Sequence, residues 1–349
     1  MSLDVTEIAN HSNKYYQHNK QAISLELYQP EVCSSLKYFT HKPNIESGYT
    51  GAATFIDKVL QPMQSGFTPK TGKVKIKPYD TKVFPIKADI EFTAEEIEAI
   101  VNSVIGDIIK SKKFNKSNYD KMRMDAVAQY IISSIINSVG REYEENLWNG
   151  VYKTPTQGNA GNGIDCFNGL GTQIDSLIDT GEVKDKITEV TLGAYTKEQD
   201  ELSYVSSFIK KLPKALLLRG CNIYCSHEFF ANAFDQYRTL YNFETDIRSE
   251  SYLKFSAYPN VKLCPMLCMD SSSEVKIWTT VDNNLVYATN LAIEKLASMN
   301  SFLFVPKPDE RKLRVVYDLK FGVGFEGVGC DDQKNQILFI SKRNEGVDA

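Results

Sequence analysis

The chain lacks any run of 18 apolar residues, so no segment is long enough to cross a bilayer as a helix. Met1 to Gln29 has no apolar h-region and is studded with Asn, Gln and Lys, so a signal peptide is not expected. Charge of one sign is missing as well. Forty Lys and Arg stand against 44 Asp and Glu, a net charge of −4. A dedicated nucleic-acid binder is ordinarily strongly basic, so tight groove binding is not expected. Histidine is scarce. His11, His18 and His41 lie near the N-terminus and only His227 lies beyond, which leaves acid–base or Cys–His catalysis few places to sit. Internal repeats and low-complexity tracts are absent.

What is present fits an ordinary folded protein. Hydrophobic residues make up 42% and charged residues 24% of 349 residues, which excludes disorder throughout and allows two compact domains or one large one with extensions. A chain of this length buries roughly three quarters of its unfolded surface and needs neither disulfide nor metal to fold. The seven cysteines read as reduced thiols in a cytosolic setting, packing as small hydrophobes.

Residues 1–47 show little periodicity and read as an extended arm, held by a neighbouring subunit or by the chain's own body. Gly51 to Leu60 has the spacing of a short helix, with Phe55, Ile56, Val59 and Leu60 on one side. Lys73 to Lys77 alternates with period two, and the extended pattern continues to Phe92, with Pro78 and Pro85 confining it to an edge or loop. Thr93-Ala-Glu-Glu96 is a capping box before Ile97, Ile100, Val101, Val104, Ile105, Ile108 and Ile109, with Lys110, Lys112 and Lys113 at the far end. The longest helical stripe runs over about 118–149, with Gly140 and Ser133-Ser134 permitting a bend and Gly150 placed for a left-handed end. A Gly-rich loop, 158–163, follows. The remainder reads as mixed helix and strand. A second capping box at Thr196 opens a helix stopped at Pro213, Leu216 to Leu218 and Cys221 to Cys225 read as strand, and Ser226 caps another helix. Strands dominate from Val261 on, with a turn at Asp282-Asn283-Asn284.

Candidate chemistry is thin. Cys221, Cys225, Cys264 and Cys268 form two C-x3-C pairs, and four thiolates suit zinc. In a strand, however, four steps put Cys221 and Cys225 roughly 13 Å apart, which favours core cysteines on one face. His227-Glu228 lacks the second histidine one turn on, since Ala231 stands there. The glycine loop has no following Lys-Ser or Lys-Thr, so it is not a Walker A loop, and it follows a helix rather than a strand, which is the wrong context for a dinucleotide fingerprint. No G-x-S-x-G elbow occurs. Glu142, Glu144 and Glu145, like Glu95, Glu96 and Glu98, read as solvated helix faces. Lysines 70, 73, 75, 77, 82 and 87 form the one basic cluster. With few aromatics beside them they are read as blunting a strand edge or pairing with acids on another subunit. No catalytic, cofactor-binding or metal-ligating residue is assigned.

The order of elements resembles the major capsid protein of tailed double-stranded DNA bacteriophages, the Hong Kong 97 fold. The resemblance is carried by Arg141-Glu-Tyr-Glu-Glu-Asn-Leu-Trp-Asn-Gly150 running into Phe167-Asn-Gly-Leu170, by Leu313 to Phe325 as a late strand, and by Val275 to Asn290 as strand–turn–strand. It covers about residues 48–340 as architecture more than as identities. It implies an α+β fold of four parts: an N-terminal arm (1–47), a short helix with an extended Lys-rich loop (48–92), a peripheral domain (93–165 with 291–327) around a spine helix, and an axial domain (166–290 with 328–349). The function implied is a self-assembling subunit of an icosahedral head enclosing double-stranded DNA, located in the virion capsid and assembled in the bacterial host cytoplasm. The partners implied are copies of itself in hexamers and pentamers, a separate scaffold protein, a portal and weakly contacted DNA, with no membrane. The arm and the Lys-rich loop would lie across neighbouring subunits, so removing 1–40 is expected to leave a folded subunit that assembles poorly. No Lys–Asn cross-link is expected, because no residue matches that triad. The alternatives are an encapsulin-like nanocompartment shell and, in a different class, a cytosolic α/β enzyme with a four-Cys zinc site.

Overall fold

The computed structural model describes residues 5–29, 31–56, 59–70, 74–110, 119–179, 187–192, 201–241, 252–255, 257–271, 276–290, 301–329 and 337–343. The second capping box at Thr196, Lys73, Lys112, Lys113 and Val275 lie outside the described residues.

One long strand organises the first sheet. In β12 (Lys312–Phe325), Leu313, Val315, Tyr317, Leu319 and Phe321 are buried and the residues between them face away. This is the period of a strand with one packed face. β12 pairs antiparallel with β4 (Phe84–Thr93), with β11 (Ser301–Lys307) and, through its end, with β10 (Leu285–Thr289). β1 (Thr40–Lys42) adds parallel to β10. Among the described residues β4 bonds to β12 alone, so Pro85 costs no ladder bond on an inner strand. On the outer face Glu91 accepts from Lys312 Nζ at 2.6 Å and Arg314 Nε at 2.7 Å.

The Thr93 box forms as expected. The Glu96 carboxylate accepts the Thr93 N–H at 2.8 Å and the Thr93 hydroxyl accepts the Glu96 N–H at 3.4 Å, opening α2 (Ala94–Lys110). The long helix is α3 (Tyr119–Asn149), about 46 Å at 1.5 Å per residue, burying Val127, Ile131, Ile135, Val139 and Tyr143. Gly140 has a packing reason: a Cβ there would overlap Val32. Gly150 is not among the glycines in the left-handed region. It is small because a side chain would meet the carbonyls of Asn146 and Phe167.

The N-terminal segment differs from the expected extended arm. Residues Val5–Glu26 form α1, which lies on α3 and β11 and buries Val5, Ile8, Ala9, Tyr16 and Ile23. Ser12 and Ser24 complete the buried stripe, so its apolar period is weak. Asn13 fixes it to the sheet. Its Nδ2 donates to the Phe304 carbonyl at 2.9 Å and its Oδ1 accepts the Phe304 N–H at 3.0 Å. Those main-chain groups belong to β11, which pairs only with β12 among the described residues, so one amide side chain closes part of an open sheet edge.

Two further stretches change class. The short helix expected over Gly51 to Leu60 is instead β2 (Gly48–Ile56), antiparallel to β3 (Val74–Lys82). Leu216 to Leu218, expected as strand, lie in α6 (Lys214–Arg219), which starts after Pro213 and ends at Gly220 with φ +97°.

After α4 (Leu170–Asp179), a second sheet runs in the order β5 (Ile187–Leu192), β13 (Leu338–Arg343), β9 (Trp278–Thr280), β6 (Cys221–Cys225), β8 (Tyr258–Pro265) and β7 (Leu253–Phe255). One face, with Ile223, Val261, Leu263 and Phe339, packs with the apolar side chains of α5 (Glu201–Lys211), α6 and α7 (His227–Tyr241). The other face, with Tyr224, Trp278, Leu338 and Ile340, joins the core around α3, where the Trp148 and Trp278 rings lie 5.8 Å apart. Ser226 caps α7 as expected, its hydroxyl accepting the Phe229 N–H at 3.3 Å. β10, grouped by sequence with the 166–290 unit, hydrogen-bonds in the first sheet instead. The Asp282–Asn284 turn, with Asn283 at φ +60°, carries the chain from one sheet to the other.

Candidate functional site

The β2–β3 ribbon is the feature with no core of its own. Residues opposite each other in an antiparallel pair share a face. The register therefore sets Ile56 beside Val74 and Thr54 beside Ile76 on one face, and Ala53 beside Lys77 and Gly51 beside Tyr79 on the other. The second face turns to the body near the base. The Tyr79 hydroxyl donates to Gln173 at 3.0 Å, its ring meets Phe325 edge-on at 6.0 Å, and Thr81 is buried. Close approach requires glycine on β12: side chains at Gly322 and Gly324 would overlap Lys82 and Thr81. The Tyr49 hydroxyl donates to Glu326 at 2.6 Å and Lys42 pairs with the same carboxylate at 3.1 Å, which completes the anchorage.

Beyond this base the described residues of the ribbon and of its loop, 59–70, stand in solvent. Ile56, Val74 and Ile76 are exposed, and Leu60, Met63 and Phe67 are each more than 90% exposed. Seven of the fourteen exposed large apolar side chains among the described residues lie between Ile56 and Ile76. The tip is shaped by its own bonds, with Gln61 Nε2 donating to the Thr68 carbonyl at 2.7 Å and Lys70 Nζ to the Leu60 carbonyl at 2.5 Å. A two-stranded ribbon is marginal alone, and exposed apolar side chains gathered in this way are a feature of interaction surfaces.

The residues singled out by sequence fall elsewhere or do other work. Lys75 and Lys82 are exposed along the ribbon, while Lys87 pairs with Asp89 of its own strand. Cys221 and Cys225 are buried on β6, Cys264 on β8, and Cys268 in the turn Leu267–Ser271. Burial raises all four thiol pKa values, that of Cys264 to about 12, so they are protonated and not thiolates at neutral pH. Among the described residues no group of three or more His, Cys, Asp or Glu is placed to hold a metal ion. His227 begins α7, its N–H donating to Asp270 at 2.6 Å. Residues 158–162 of the glycine loop are exposed, with Gly158 at φ +87°.

Glu144 overturns the expectation of a solvated face. It is buried and accepts the Ser35 N–H at 3.0 Å, the Cys33 thiol at 3.2 Å and the Ser35 hydroxyl. The signal was in the sequence: Glu144 lies four residues after Gly140 and three before Leu147, inside the stripe of α3. Asn13 had no such signal, since its partner is 291 residues away.

No protein-family model matches the chain, and no curated protein matches it in sequence. Solved structures do. A chain of the satellite phage P4 procapsid including size determination (Sid) protein aligns over 93% of this chain and 91% of its own length, at 11% identity and a TM-score of 0.50. A chain of Mycobacterium phage Cain covers 90% and 92% at 9% identity and a TM-score of 0.47. The holo-SrpI encapsulin complex from Synechococcus elongatus PCC 7942 covers 88% and 85% at 12% identity and a TM-score of 0.42. The first of these carries the assignment: the chain has the mixed helix and sheet fold of Hong Kong 97-like capsids.

Proposed function

We propose that this chain is a structural subunit that assembles with copies of itself into an icosahedral phage head enclosing double-stranded DNA. The observation that carries the reading is the projecting ribbon: on a capsid fold, an apolar surface anchored at its base and uncovered at its tip calls for a neighbouring subunit to cover it. Burying six such side chains stabilises a contact by on the order of 10 kcal/mol before association costs. Closed rings of five and six would repeat that contact head to tail. The unit around α3 and the first sheet acts as the peripheral domain and the second sheet with α5 to α7 as the axial domain. A mildly acidic chain suits a shell that contains DNA without gripping it. The role is structural and not catalytic, with a separate scaffold protein and a portal as further partners, in the virion capsid after assembly in the host cytoplasm.

Electron microscopy of the purified protein tests this directly. Hollow closed particles of uniform size support it, and a monomer at tens of micromolar protein, with scaffold supplied, overturns it. The contents of native particles decide the cargo: nuclease-protected double-stranded DNA marks a phage head, protein cargo an encapsulin-like shell.

A further inference from the structure

The first sheet has an edge at β11, and side chains occupy that edge where a strand would otherwise pair. In an antiparallel sheet a residue sends its N–H and its C=O to the same side, and successive residues alternate between the two sides. Both groups of Phe304 go to Asn13. Phe302, Phe304 and Pro306 therefore direct their main-chain groups outward, while residues 301, 303, 305 and 307 serve β12. Two side chains of α1 meet the outward row. Asn13 takes both groups of Phe304. Tyr16 sets its ring edge-on to Phe302 at 5.5 Å, and its hydroxyl hydrogen-bonds to the Phe302 main chain. Residues three apart share a helix face, so the pair reaches two alternate residues of the strand. At the third outward position Pro306 has no N–H to offer.

These contacts copy those of a neighbouring strand, and they compete with one. The Phe304 N–H held by Asn13 is withheld from any other acceptor, and Phe302 and Phe304 are buried where α1 lies on β11. Without such cover a row of main-chain groups is a template for pairing with another chain. Leu303, between the two phenylalanines, faces the other way and is half exposed.

We propose that α1 is a guard over β11, and that lifting it lets β11 pair with the β11 of a second copy of this chain. The strand itself selects that partner. Antiparallel pairing about a two-fold axis sets each Phe302 opposite the other copy's Phe304, so the outward groups of both residues are satisfied, and it sets the two Leu303 side chains against each other. The proline lies outside this paired centre. A contact of this symmetry closes at two chains and does not propagate. The guard belongs to the folded subunit and stands whether or not the chain builds a shell.

Leu303→Cys reads the edge directly, and its side chain points away from α1, so the change spares the guard. In paired copies the two Cα atoms at 303 would lie about 4.5 Å apart, within disulfide reach. With α1 intact, diamide oxidation is expected to give no 303–303 link. Added to Asn13→Ala and Tyr16→Phe, the same change is expected to shift the chain to a disulfide-linked dimer, with the 303–303 peptide identified by mass spectrometry. Leu303→Lys in that double-variant background sets like charges opposite each other. It is expected to return the gained dimer to monomer in sedimentation without recovering the lost Tm. Where the double variant does not fold, Asn13→Ala alone carries the same comparison. Three results would each overturn the proposal: equal linking with and without the guard, a folded unguarded chain that forms no 303–303 link, or a gained association that Leu303→Lys leaves unchanged.

Discussion

Glu144 shows how much one side chain can hold. Its two oxygens serve three donors in the turn that leads from α1 to β1, and water has no access to replace them. Glu144→Gln keeps the shape but turns an NH2 group toward at least one of those donors. A loss of about 2–3 kcal/mol is expected, read as a lower urea midpoint, while Glu145→Gln on the exposed side of the same turn of helix should move it by no more than about 0.5 kcal/mol. His41 makes a different prediction. It stacks on Tyr287 at 4.6 Å, and burial lowers its pKa to about 4, against an ordinary value near 6.5. Between those two values the unfolded chain binds a proton that the folded chain does not. Stability from this group is therefore complete above pH 6.5 and falls as the pH drops toward 4. His41→Phe keeps the stacked ring and should flatten the acid limb of a plot of urea midpoint against pH. Parallel limbs in the two proteins would rule the histidine out as the cause.

At the scale of elements, α1 is a cover that the sheet needs. It buries Tyr16 and Ile8 against the core, and Asn13 closes an edge of β11. The sequence pattern alone suggested that 1–40 could be removed without harm to folding. The packing reverses that expectation: deletion of 1–29 should give a chain that precipitates or binds a hydrophobic dye strongly, and recovery of a soluble, dye-silent subunit would contradict it. Asn13→Ala should cost about 1–3 kcal/mol, since both Phe304 groups lose their partner at once. What sequence could reveal follows from where each signal resides. The stripe of α3 and the Thr93 box are local patterns, and both formed as expected. The stripe of α1 includes serines and alanine at buried positions, so its burial is decided by distant surfaces and not by its own hydrophobicity. Gly51 to Ile56 carries helical spacing but joins a strand pair whose other half begins at Val74, across a loop that no local rule anticipates. The three leucines of 216–218 suit a strand until the Pro213 start and the left-handed Gly220 are weighed together.

At the scale of the whole molecule, two kinds of apolar residue must be separated: those that hold the subunit together and those that have nothing to hold within it. Trp278, Phe321 and Ile131 belong to the first kind, buried where the two sheets and α3 meet. Leu60, Met63 and Phe67 belong to the second, almost wholly in water beyond the anchorage of the ribbon. The two sets should therefore respond oppositely. The triple substitution Leu60→Ser, Met63→Ser, Phe67→Ser removes no intramolecular packing, so its Tm as an isolated subunit should stay within about 2 °C of wild type, in the range of neutral surface changes. Its particle yield should collapse, because association keeps only a small surplus over its ordering costs and three buried anchors exceed that surplus. Ile131→Ala should do the reverse, costing about 2–5 kcal/mol of subunit stability while leaving the contact surface intact in whatever fraction folds. Sedimentation and micrographs at matched folded concentration separate the two effects. A tip triple mutant that assembles at the wild-type threshold would show that the ribbon's exposed face is not the surface through which copies meet.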